Sequence, residues 1–340
     1  MATYKAIRLE GKGSVDQLRS VELPIPEPGP GEVRVRVEAT GIGATDLVMR
    51  SGNYPYAPAF PFVPGYDVVG RVEAVGSGVT THHVGDRVGG LVVHGGYGEV
   101  MVREAEHFLP VPEGLDAAKV VALILNYVTA YQMLHRVARL GTGQSALVLG
   151  ASGGVGSAML ELCRDAGVKA YGAAAGSKRA GVEQFGAIAL DSRAAEPVDR
   201  QLRAREPGGV DAAFDPLSGR FAGVCVRSVR RGGRVVWYGF SAVTRGDGST
   251  DLPGLLRGAL TTFVGGPLTL RWPSFYGITQ RYRKDPTTFR EDFAKVVDLY
   301  TDGKIDPRID ARVRLDDVRD AQTRLERGDV DGKLVIVFPA

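Results

Sequence analysis

The sequence predicts an α/β protein in two parts: a β-rich first part, then a parallel, doubly wound sheet. Three observations carry this. "EVRVRVEATGIG" alternates apolar and polar residues from Val33 to Val37, the period of a half-buried strand. From Leu123 onward, apolar strands alternate with helical patterns, which argues for a parallel sheet covered on both faces. "LVLGASGGVGSAMLELC" runs from an apolar strand through a glycine cluster into an amphipathic stretch.

In chain order, Pro24, Pro26, Pro28 and Pro30 exclude regular structure just ahead of the first of these strands. "YDVVGRVEAVG" and "DRVGGLVV" add two more strands, punctuated by glycines. "SALVLG" opens the second part. Val155, Met159, Leu162, Cys163 and Ala166 then share one helix face, and Gly167 can end that helix. "VKAYGAAAG", "VDAAFD" and "GRVVWYGF" are the following strands. In "DPTTFREDFAKVVDLYTDG", Asp285 can cap, Pro286 suits the first turn and Gly303 can terminate. A shorter helix with Val318, Ala321 and Leu325 inward and a closing strand, "KLVIVF", complete the chain.

The chain has 340 residues, 44% hydrophobic and 24% charged, with net charge +3. That length suits one large domain or two ordinary ones. The charge is too small and dispersed to point to nucleic acid. No apolar run reaches the ~18–20 residues of a membrane helix, and "MATYKAIRLEG" lacks the apolar core of a secretory signal. No membrane partner is therefore expected. Cys163 and Cys225, far apart, fit a reducing cytoplasm and support no disulfide.

Gly150, Gly153 and Gly156 sit where a strand turns into a helix. Glycine there allows a sharp turn and close approach of backbone N–H groups to a pyrophosphate. Ser152, Gly153, Gly154, Val155 and Gly156 are the expected phosphate cradle. NAD sites usually carry Asp or Glu about 20 residues on, to bind the ribose hydroxyls. Here that place reads "GAAAGSKRAG", without a carboxylate. Ser177, Lys178 and Arg179 suit a 2′-phosphate instead, so NADPH is the expected cofactor. Tyr238, Gly239, Phe240 and Ser241 follow a strand and should lie at the carboxyl edge of the sheet, where ligands bind.

Along nearly its whole length the chain resembles the medium-chain dehydrogenase/reductase superfamily, and within it the zinc-independent quinone oxidoreductases of the zeta-crystallin type. The residues behind this are "EATGIGATDLVMRSGNYP", "VPGYDVVGRVEAVGSGV", "VGDRV", "NYVTAYQML", "GASGGVG" and "DGKLVIV". "NYVTAYQML" and "YGITQRYR" also resemble the vesicle amine transport protein branch. The resemblance implies a GroES-like catalytic domain from residues 1–123 and 273–340, with a Rossmann domain at 124–272 between them. It implies a homodimer through edge strands, with "GGPLTLRW" as the candidate edge.

The superfamily's zinc enzymes place Cys, His and Glu where this chain has Gly43, Tyr66 and Asp67. The resemblance therefore implies no metal, and His82, His83 and His94 read as turn histidines. It implies Tyr54 as the active-site phenol, positioned to donate a proton or a hydrogen bond. It places Thr129 near the nicotinamide with Asn126 beside it, and Lys333 within reach of a phosphate. Asp191 or Ser192 replaces a tyrosine common near the adenine-side phosphate, and an acid there weighs against NADPH. The activity implied is hydride transfer to a quinone, an enone or an enoyl substrate. Three rivals stay open: an enoyl-thioester reductase of a fatty-acid or polyketide-type pathway, a cofactor-binding protein without turnover, and a non-redox isomerase or cyclase.

Overall fold

The computed structural model describes residues 2–244 and 249–339. The chain divides into two compact units. One holds Met1–Leu125 and Ile309–Ala340, the other Asn126–Arg245 and Thr250–Arg308.

In the first unit, the strand expected at Val33 is Glu32–Ile42. It pairs antiparallel with Asp67–Val75, Val100–Glu104 and Lys333–Val337. It is the spine of a seven-stranded sheet that continues through Arg87–Leu91 to Phe108–Pro110 and carries Ile309–Val313 at the other edge. Val33, Val35 and Val37 point inward with Val68, Val72, Val88 and Phe108, all buried. Burying each such side chain contributes about 1.5–3 kcal/mol. A further antiparallel pair joins Thr3–Leu9 with Leu18–Pro24, so Pro24, expected to exclude regular structure, instead closes a strand at its last position. Arg50, 2% exposed, ties the Ala44–Arg50 helix to the C-terminal Val318–Arg327 helix through Gln322 and Glu326.

In the second unit, six parallel strands lie in the order Ile188–Asp191, Lys169–Ala174, Ser145–Leu149, Val210–Asp215, Val229–Trp237 and Trp272–Phe275. By chain position that is 3-2-1-4-5-6, the doubly wound dinucleotide-binding order. Leu147, Leu149, Tyr171, Leu202, Phe214 and Val235 are buried in and around this sheet. The helix after the glycines spans Gly154–Asp165 and buries Met159, Leu162 and Cys163, and Gly167 leaves it at φ +65°.

Three expectations change. Residues 273–308 belong to the second unit. Trp272–Phe275 extends its sheet, and the Pro286–Thr301 helix is tied by Asp292 to Gln132 and Arg136. The expected edge "GGPLTLRW" is mostly helical turns through Leu268, and only Trp272 of it enters the edge strand. Finally, one continuous helix, Ala117–Ala138, has 22 residues and mean hydropathy 1.3 in its most apolar window. Asn126, Thr129, Gln132 and His135 interrupt its apolar residues, so no unbroken run shows in the sequence. Of that window 83% is buried inside the protein, the signature of a core helix.

Candidate functional site

Within the first unit, "SGNYP" puts Tyr54 in the loop after the Ala44–Arg50 helix. Its phenol lies 2.6 Å from the phenol of Tyr66, with the rings edge-on at 6.0 Å. Tyr66 is 2% exposed, and its carbonyl accepts from the N–H groups of Val92 and Val93 at 2.9 and 3.0 Å. Val93 adopts φ +68° to do so. Each phenol carries one proton. When Tyr66 donates to Tyr54, the Tyr54 proton is left for another acceptor, and the phenolate left after its transfer keeps a donor. A donor aimed at the charged form lowers a pKa. The sequence singled out Tyr54 but not this use of Tyr66. Twelve positions of irregular chain separate the two, and no periodicity relates them.

Beside them lies a buried ionic cluster. Lys333 Nζ is 3.0 Å from Asp67 Oδ2, and the side chains are 3% and 0% exposed. Burial raises the Asp67 pKa and the Lys333 charge opposes that shift. A Cβ on Gly41 would stand 2.3 Å from Lys333 Cε and 2.5 Å from Asp67 Oδ1, so glycine makes the room. Asp46 accepts from the Gly43 N–H at 2.8 Å. Burial pushes its carboxyl up to about 6, against the pull of that hydrogen bond and of Lys333. Lys333, expected within reach of a phosphate, has its ammonium enclosed with Asp67 inside the first unit.

The second unit holds the remaining expected residues. Gly150 turns at φ +62°, and Gly153 begins the helix without a side-chain cap, leaving the first N–H groups to a ligand. A Cβ on Gly156 would meet Gly150 O at 2.2 Å, so the turn closes only on glycine. Ser152, Gly153, Gly154 and Val155 are half-buried around it. Ser177, Lys178 and Arg179 occupy the turn after Lys169–Ala174, with Ser177 and Arg179 exposed. Asp191, at the end of the neighbouring strand, brings Oδ2 within 3.1 Å of where a Gly176 Cβ would be. The carboxylate missing from the sequence window is thus supplied by the next strand.

Tyr238, Gly239, Phe240 and Ser241 follow the carboxyl end of Val229–Trp237, as expected. Gly239 is required there, since its Cβ would meet Pro216 O at 2.6 Å. Ser241 donates from its N–H and its hydroxyl to that same carbonyl, both at 3.2 Å, so its role is to hold the turn. Asp215, ending the strand before, accepts from the N–H groups of Leu217 and Ser218, and burial pushes its carboxyl up to about 6. Asn126 and Thr129 are buried, and Thr129 hydrogen-bonds Tyr276. Tyr276 donates to Gln132, which donates to buried Asp292, each at 2.8 Å. This chain of bonds holds Thr129 in place.

Comparison with known proteins agrees with this geometry. Residues 29–113 match the alcohol dehydrogenase GroES-like domain and residues 185–336 the zinc-binding dehydrogenase domain. The synaptic vesicle membrane protein VAT-1 homolog of Danio rerio is 34% identical over 340 residues, covering 98% of this chain and 70% of that protein. The chain belongs to the medium-chain dehydrogenase/reductase superfamily, in the branch that holds quinone oxidoreductases and VAT-1 homologues. The quinone oxidoreductase of Rattus norvegicus is 34% identical over 204 residues, 59% of this chain and 62% of that one. A mycobacterial protein solved in complex with NADPH superimposes with TM-score 0.85 at 26% identity, over 98% of this chain and 100% of the other. The kinship marks an oxidoreductase.

The second domain's name raises zinc, and the residues do not fit it. Gly43 has no donor, Tyr66 is bonded to Tyr54, and Asp67 is held by Lys333. Among the described residues no group of three or more His, Cys, Asp or Glu side chains could hold a metal. His94 lies 2.6 Å from an Arg103 nitrogen, a hydrogen-bonded turn histidine, and His82 is buried. A dinucleotide does fit: the Gly150–Gly156 turn closes only on glycine, and it opens a helix whose first N–H groups have no side-chain cap.

Two outcomes follow. Gly156→Ala should weaken NADPH binding about tenfold or more in a fluorescence titration. Gly208→Ala, where a Cβ meets nothing within 4 Å, should leave it unchanged. Asp46 has a folded pKa above the ordinary 3.8 of an unfolded carboxyl, so its ionisation costs stability as pH rises through about 6. Asp46→Asn keeps an acceptor for Gly43 and removes that cost. The variant should gain on the parent in unfolding free energy between pH 4 and 7, by up to about 3 kcal/mol.

Proposed function

We propose that the protein is an NADPH-dependent reductase of quinones or α,β-unsaturated carbonyls. The observation that carries this reading is the filling of the metal-donor positions by Gly43, Tyr66 and a lysine-paired Asp67, in a chain that keeps the dinucleotide turn. A simple ketone needs a strong electrophile at its oxygen, as a zinc ion provides. A quinone or an enone delocalises the incoming charge and needs only orientation and a proton. The nicotinamide, when bound, supplies the hydride. The first-turn N–H groups of Gly154 and Val155 bind the pyrophosphate, and Thr129, held by Tyr276, orients the carboxamide. Lys178 and Arg179 bind the 2′-phosphate, with Asp191 as a counterweight that reduces the preference over NADH. Tyr54 gives its proton to the developing enolate while Tyr66 donates to the phenolate left behind.

NADPH oxidation with ortho- and para-quinones, an enone and a trans-2-enoyl thioester tests this. Activity that survives a chelator is the expected result, and tight NADPH binding with no turnover on any acceptor would sink it. Tyr54→Phe should lower kcat on the enone about a hundredfold, the scale of general acid catalysis. The quinones, whose oxygens water can protonate, should suffer less. Tyr66→Phe should shift the alkaline limb of the enone pH profile upward, because the phenolate loses its donor. Lys178→Ala should raise KM for NADPH and leave KM for NADH nearly unchanged.

We also propose that the protein is a cytoplasmic homodimer. Trp272–Phe275 is an unpaired sheet edge. Leu268 and Trp272 at it are 80% and 51% exposed. The buried thiols of Cys163 and Cys225 accord with a reducing compartment. Light scattering should give twice the chain mass, and Leu268→Glu should shift the protein toward monomer.

A further inference from the structure

A cleft of about 370 Å³ opens on the second unit, lined by Asp199, Arg200, Arg203, Arg227, Thr269 and Arg271. It lies by the amino ends of the Val229–Trp237 and Trp272–Phe275 strands. The glycine turn follows the carboxyl end of Ser145–Leu149, and the strands are parallel, so the two sites sit at opposite edges of the sheet. Its volume falls in the range of small-molecule sites.

Four guanidinium groups share this cleft with one carboxylate, and that carboxylate is already engaged: Asp199 Oδ2 pairs with Arg227 Nε at 2.6 Å. Arg203 and Arg271 are held by neutral acceptors. Arg203 donates to the carbonyls of Pro207 and Arg227, both at 2.7 Å. Arg271 donates to the carbonyls of Val229 and Thr269, at 2.7 and 2.9 Å. Carbonyl oxygens fix these side chains without neutralising them. The Arg200 side chain has no hydrogen bond or ion pair among the described residues; only its backbone N–H is engaged, by the Pro197 carbonyl at 3.0 Å. Nearby Arg230 is committed to Asp211 at 2.8 Å, and Arg231 adds another positive charge. Burial and then the charges of Arg203 and Arg231 pull the Arg271 guanidinium below its usual range.

Like charges held together in a concave site are costly until an anion joins them. Fixed guanidinium groups are suited to the tetrahedral oxygens of phosphate, because their ordering cost is already met by the carbonyls. We propose that this cleft binds the phosphate group of a small soluble molecule, at a site separate from the dinucleotide cradle. Arg200 closes on the anion, Arg203 and Arg271 supply the fixed field, and Asp199 limits the affinity.

The probe is pyrophosphate, titrated calorimetrically at physiological ionic strength into protein saturated with NADPH, so that the glycine turn is filled. A Gly156→Ala variant without cofactor, whose glycine turn cannot close, is titrated in parallel, which keeps the result independent of the proposed activity. Saturable binding of one equivalent in both is expected. Arg200→Ala removes no internal bond and should weaken it about fivefold or more. Asp199→Asn should tighten it, a change of opposite sign that general damage to the fold would not produce. The proposal is overturned if neither protein binds pyrophosphate saturably. It also fails if binding vanishes once NADPH is present and in the Gly156→Ala variant, since the anion then occupies the cradle. Unchanged affinity in both cleft variants would overturn it as well.

Discussion

The first unit depends on the enclosure of Lys333 with Asp67. A lysine and a carboxylate taken from water together are tolerated only because each meets the other at 3.0 Å. The pair joins the closing strand to the strand that begins at Asp67, across the Glu32–Ile42 spine. Gly41 on that spine is what makes the space, because a Cβ there would overlap both partners. The same pair determines what chemistry the unit can support. An aspartate bound to an ammonium is not free to ligate a cation, and Tyr66, next to it in sequence, turns its phenol to Tyr54.

The second unit rests on a different constraint, a backbone closing on itself. Gly150 and Gly156 approach so closely that the helix after the turn begins against the strand end. Its first N–H groups are then directed at the carboxyl edge of the sheet. The residues around that edge are steadied by long-range bonds: Ser241 by Pro216, Thr129 by Tyr276, and Tyr276 through Gln132 to Asp292. Asp191 and Lys178 reach the same region from adjacent strands, which sets a carboxylate beside the cations that would select a 2′-phosphate. The cofactor preference is a balance of these charges and not the property of one residue.

Local patterns were legible in the chain itself. Alternation from Val33 to Val37, the strand–turn–helix at Gly150–Gly156 and the capped helix from Asp285 are written in neighbouring residues, and each forms where its period or its turn chemistry placed it. That Gly43 and Tyr66 stand where the superfamily's zinc enzymes carry donors was legible only through the resemblance. Where one unit ends was not legible. Residues 273–308 join the second sheet through strand pairing and through Asp292, contacts that composition does not record.

The sequence by itself determined the two architectures and the dinucleotide turn, since these reside in residue identity and short spacing. Only the tertiary structure decided that Lys333 meets Asp67, that Tyr66 completes Tyr54, that Asp191 stands beside Gly176, and that arginines from three segments share one cleft. These are encounters between residues distant in the chain. They follow from how strands register and helices pack, which no local period encodes.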